Sequence, residues 1–162
     1  MNPIPKAAQR ELPQEKETAF REPRRQSLAR VRLRKHSDFE RAYAAARKRQ
    51  SASMIWFLAP QPNTSNGPTA HPVAGPAPGS GPGPRVGLTA GKVLGKAHDR
   101  NRIKRRMREA LRRHVGLLPA GFDLILHPRS SVLTLEFPKL EAEIVRILEQ
   151  AQVEALRRAR LP

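Results

Sequence analysis

Apolar positions along the chain follow two spacings. Phe39, Ala42, Tyr43 and Ala46 recur at i, i+3, i+4 and i+7 and predict a helix. Ser37 and Glu40 frame its start as a Ser-x-x-Glu capping box, with the first turn at Asp38. Ile103, Met107, Ala110 and Leu111 mark one face of a second helix over 96–115. Leu140, Ile144, Ile147, Leu148 and Ala151 mark a third, with Pro138 suited to its first turn. Three short runs read instead as strands: MIWFLA (54–59), VGLTA (86–90) and FDLILH (122–127). In the first, Trp56 and Phe57 point to opposite faces, so one packs inward whichever way the strand lies.

The order helix, strand, strand, helix, strand, helix predicts a sheet with helices packed on it. Residues 1–27 are polar and without period, and are expected to be a disordered extension. Residues 60–84 are rich in Pro and Gly and carry no formal charge, as a long loop would. The expected domain is therefore 28–157, interrupted at 60–84, with a tail at 158–162. No run approaches the roughly 18 apolar residues of a spanning helix. A soluble, cytoplasmic protein without a membrane partner is expected.

Charge sharpens this picture. Lys and Arg number 31 against 14 Asp and Glu, a formal net charge of +17. Of this, +15 falls on residues 28–50 and 85–115, both inside the predicted fold. A shaped basic surface for a polyanion follows more naturally than a basic tail. Nine Lys or Arg lie between Lys96 and Arg113, with Asp99 and Glu109 their only acidic company. Such crowding on one helix destabilises it unless an anion compensates.

Self-contained catalysis finds no support. There is no cysteine, the five histidines are scattered, and no acidic cluster suits acid–base work or a metal pair. No catalytic or metal-binding residue and no small-molecule cofactor is expected. Phe39 and Tyr43, one turn apart, suit either core packing or a platform for single-stranded bases.

RVGLTAGKVLGKAHDRNRIKRRMREALR (85–112) resembles the signature region of the bacterial ribonuclease P protein component. RLRKHSDFERAY (32–43) is similar to that family's opening helix, and GFDLILHPR (121–129) to its last strand. The resemblance implies an α+β fold: a single α–β sandwich with a mixed sheet of about four strands, three helices and a left-handed βαβ crossover. It implies a subunit of an endoribonuclease whose RNA subunit carries catalysis and holds most of the Mg2+. The partners implied are that RNA subunit and precursor tRNA, from which the 5′ leader is removed. Carried over by position, Lys92, Lys96, Arg100, Asn101, Arg102, Lys104, Arg105 and Arg108 would bind RNA, and Phe39, Tyr43 and Phe57 would line a leader-binding cleft. Val93 departs from the pattern, standing where many relatives have a second lysine. His98 and Asp99 also depart from it, Asp99 suiting a helix N-cap. A structural RNA-binding protein of the ribosomal kind and a DNA-binding regulator are the competing readings. The second lacks the partner helix across a short turn that a major-groove reader uses.

Overall fold

The computed structural model describes residues 27–62 and 83–160. Most of the 1–27 extension and of the 60–84 loop therefore lies outside the described residues. The elements are α1 (His36–Ala45), β1 (Lys48–Gln50), β2 (Met54–Pro60), β3 (Arg85–Leu88), α2 (Ala97–Arg113), β4 (Phe122–Pro128) and α3 (Phe137–Arg160). The sheet order is β1-β2-β4-β3. β2 runs antiparallel to β1 and β4, while β3 and β4 are parallel, joined through α2. Among the described residues the α+β architecture matches the expectation, with three helices and one mixed four-stranded sheet.

The sheet divides two apolar layers. Trp56 opposes Leu126 and Leu58 opposes Leu124 in the ladder, and directly opposed residues share a face. That face meets Ile103, Met107, Ala110 and Leu111 of α2 and Leu140, Ile144, Ile147 and Leu148 of α3 in one buried cluster. Each of these Leu, Ile and Met side chains contributes about 1.5–3 kcal/mol when fully buried. The opposite face presents Phe57, Ala59 and Ile125 to α1, which supplies Phe39, Ala42 and Tyr43. With layers on both sides, the parallel β3–β4 pair is shielded from water on either face. Leu33 donates its backbone N–H to the Val86 carbonyl, and Val86 donates to that of Val31. The segment before α1 thus covers the outer edge of β3, leaving fewer unpaired backbone groups there.

Several local expectations are corrected. α1 starts at His36 with Lys35 as its N-cap and no side-chain cap, so Ser37 lies inside the helix. The capping box does not form: Glu40 pairs with His36 at 3.2 Å, and Asp38 is held by arginines. Asp99 likewise lies in the first turn of α2, not at its N-cap, which is Lys96. There it still faces the positive end of the helix dipole. β3 ends at Leu88, although Thr89 continues the ladder with an N–H donated to Leu126. α3 runs unbroken from Phe137 to Arg160.

β1 is the strand that no hydrophobic pattern announces. Its three residues, Lys48 to Gln50, are all exposed. It is held from outside: Arg49 pairs with Glu154 of α3 and lies over the Trp56 ring at 5.2 Å. The turn after it is clasped by Glu143 of α3, which accepts from the Ser53 N–H at 2.8 Å and from the hydroxyls of Ser51 and Ser53. Burial would raise the Glu143 pKa, but these hydrogen bonds outweigh it and hold the carboxyl below its usual range.

Candidate nucleic-acid interface

The three aromatic residues expected in the cleft, Phe39, Tyr43 and Phe57, divide between two places. Tyr43 of α1, Phe57 of β2 and His127 of β4 meet edge to face. Their ring centroids lie 5.1 Å (Tyr43–Phe57), 5.5 Å (Tyr43–His127) and 5.4 Å (Phe57–His127) apart. The Tyr43 hydroxyl is 2.7 Å from His127 Nε2 and 3.3 Å from the Thr89 hydroxyl. Burial lowers the His127 pKa below its ordinary value, favouring the neutral imidazole. All three rings are half-buried, with surface left to receive a base. Phe39 sits apart, 6.4 Å from Tyr43 and tilted at 41°. Its ring lies over Gly87, where an added Cβ would fall 2.6 Å from it. Only glycine permits that approach, so packing dominates at Phe39. Trp56 faces the other way and is 1% exposed, which decides between it and Phe57 for the cleft.

The signature cations surround the first half of α2. Lys92 is exposed in a one-turn 3-10 segment, Lys92–Leu94, and Val93 beside it is 99% exposed. Gly95 has φ +108°, a left-handed turn that brings Lys96 to the helix start. Arg100 is half-exposed and donates to the Gly95 carbonyl at 3.4 Å. Asn101, Arg102 and Arg105 are exposed, and Lys104 and Arg108 half-buried. By helical spacing Asn101, Lys104, Arg105 and Arg108 share one flank and Arg102 lies on the other. Among the described residues none of these cations has a carboxylate within ion-pair distance. Arg112 and Arg113, by contrast, both reach Glu109. An N-terminal dipole ringed by unpaired cations suits phosphate groups. Thr89, in contact with Tyr43, begins the turn that carries Lys92 and Lys96, so cleft and basic helix adjoin.

Other functional groups give no such signal in the sequence. Arg106, in the middle of the basic run, donates to the carbonyls of Val132 and Leu133 at 2.7 Å each and also to that of Leu135. It ties α2 to the turn after β4 and is withdrawn from the cations left without a partner. Asp123, fully buried, accepts from Arg41 at 2.7 Å and from Arg85 at 2.7 and 2.8 Å. Asp38 completes the ring, bonded to Arg41 at 2.8 Å and Arg85 at 3.2 Å. Burial alone would lower the Arg85 pKa, but the two carboxylates prevail and raise it. This network fixes α1 against β3 and β4, and with it one wall of the cleft.

A metal ion finds no ready seat: among the described residues no three His, Asp or Glu side chains group to hold one. The Asp38 and Asp123 carboxylates are already committed to arginines. No helix among the described residues is long and apolar enough to cross a membrane.

Comparison with known proteins identifies the family and the fold. The Ribonuclease P family matches residues 28–152. The solved RNase P protein of Staphylococcus aureus superposes with a TM-score of 0.56 at 22% identity, over 76% of this chain and 96% of that one. The RNase P protein of Thermotoga maritima gives 0.56 at 24% identity, over 74% and 96%. The structural likeness establishes the shared fold, and the family match spans both the signature helix and the strands of the cleft. The chain therefore belongs to the ribonuclease P protein family, the protein component of the bacterial ribonucleoprotein nuclease that processes tRNA.

Proposed function

We propose that the protein works in the cytoplasm, binding the catalytic RNA subunit through α2 and the 5′ leader of precursor tRNA in the Tyr43–Phe57–His127 cleft. The observation that carries this reading is continuity: the Tyr43–Thr89 contact joins the stacking surface to the turn bearing Lys92 and Lys96. Lys92, Lys96, Arg100, Asn101, Arg102, Lys104, Arg105 and Arg108 contact RNA. Tyr43 and Phe57 stack on leader bases, each stack contributing about 1–3 kcal/mol. Phe39 supports that wall by packing over Gly87. The chain's own residues bind and orient; magnesium, held mainly by the RNA subunit, supplies the hydrolytic chemistry there.

The test is cleavage of a precursor tRNA by the cognate RNA subunit at low magnesium, with and without the protein. Accurate 5′ maturation is expected to be restored by adding it. A folded, RNA-binding protein with no effect on cleavage would overturn the reading in favour of a purely structural RNA-binding role.

A further inference from the structure

A second concavity lies between the segment that begins at Ser27, the edge of β3 and α2, with a volume of about 950 Å³. Its accessible apolar lining is the half-buried Leu28, Phe39 and Leu88, beside Leu33, Val86 and Leu111, which are nearly inaccessible. Arg32, Arg34, Arg108 and Arg112 also line it, and no described lining residue is acidic. Arg112 reaches Glu109 at 3.4 Å, whereas the other three have no ion pair among the described residues. Four guanidinium groups beside a low-dielectric wall focus positive potential into the hollow. The apolar lining would be wasted on a free phosphate, and the arginines on an apolar peptide. A planar base attached to phosphates uses both, since guanidinium forks bind phosphate bidentately and stack on rings.

We propose that this groove is a slot for one unpaired nucleotide of the RNA subunit, its base against Leu28, Phe39 and Leu88 and its flanking phosphates on Arg32, Arg34 and Arg108. The inference rests on α2 binding the RNA subunit. The occupant is that RNA and not the leader because Arg108 and Arg112 belong to the same helix. Phe39 lines the groove, and its ring lies 6.4 Å from Tyr43, so it is shared between groove and cleft.

The chain has no cysteine, so a single exposed probe is unambiguous. Ala29→Cys, at an exposed position lining the groove, is labelled with an aryl azide and assembled with the RNA subunit and precursor tRNA. Crosslinking to an unpaired nucleotide of the RNA subunit is expected. In parallel, Arg32→Gln/Arg34→Gln should weaken RNA-subunit affinity about tenfold and reduce the log–log salt slope by about 1–2, as loss of two phosphate contacts would. Its preference for precursor over mature tRNA should be unchanged. Crosslinks confined to the leader, no crosslink to RNA, or an unaltered slope would each overturn the slot. If the wild-type protein still restores cleavage at low magnesium, the subunit reading stands without it.

Discussion

His127 is the cleft residue whose chemistry depends most on where the chain folds. It comes from the last strand, 84 residues beyond the tyrosine it meets. Its half-buried ring has a lowered pKa because burial penalises the imidazolium. For a base whose folded pKa is depressed, the unfolded chain binds more protons between the two values, so stability rises with pH there. This contribution is complete above the ordinary histidine value near 6.5 and is lost as pH falls below it, through the folded value. In urea unfolding at about pH 7.5 and 5.5, the wild type is expected to lose more stability on acidification than His127→Gln, which cannot titrate. Parallel losses would show that His127 does not gain a proton on unfolding. In the protonated ring Nε2 can only donate, so the Tyr43 hydroxyl would have to accept there.

Within α2 one run of cations serves two purposes. Arg106 spends its charge on three backbone carbonyls of the segment after β4, while Arg102 is exposed and without a carboxylate partner. The run RIKRRMRE gives no hint of which arginine is structural. Charged hydrogen bonds contribute about 1.5–3 kcal/mol each, and their loss leaves carbonyls unsatisfied. Arg106→Ala is therefore expected to lower stability by about 2–4 kcal/mol. Arg102→Ala should leave it within about 0.5 kcal/mol yet lower the salt slope of RNA binding by about 1. Chemical denaturation alongside RNA titrations separates the two; equal effects on stability would refute the division. The apolar stripe of the same helix was legible in advance, because Ile103, Met107, Ala110 and Leu111 repeat at the helical period and all are buried. Arg106 was not, since its partners lie 26 to 29 residues away and no local period encodes them.

For the whole molecule the excess of positive charge sets opposite responses in the free and RNA-bound states. With +17 on 162 residues, most of it on two folded segments, the isolated protein repels itself. Raising ionic strength from about 50 to 500 mM shortens the Debye length below the spacing of most exposed cations. The free protein's melting temperature should rise by a few degrees, on the order of 1 kcal/mol, while affinity for RNA falls steeply over the same range. A free-state melting temperature that drops with salt would mean that attractive surface pairs outweigh the repulsion. The Asp123 network is insulated from this effect, its carboxylate being fully buried between Arg41 and Arg85.

The sequence by itself determined the elements with a local period: three helices, three of the strands, the basic character of α2 and the family signature. These rest on side chains within a few turns or a few strand residues of one another, which any stretch of chain displays. Only the tertiary structure decided the rest. β1 exists because α3 supplies Glu154 and Glu143 to an otherwise polar edge. Asp123, Arg85, Arg41 and Asp38 form one network because three elements converge on a buried carboxylate. Phe39 parts company with Tyr43 because Gly87 opens room for its ring, while Tyr43 turns to Phe57 and His127. In each case the partners are far apart in the chain, and the free energy that selects them appears only when desolvation and close contact bring them together.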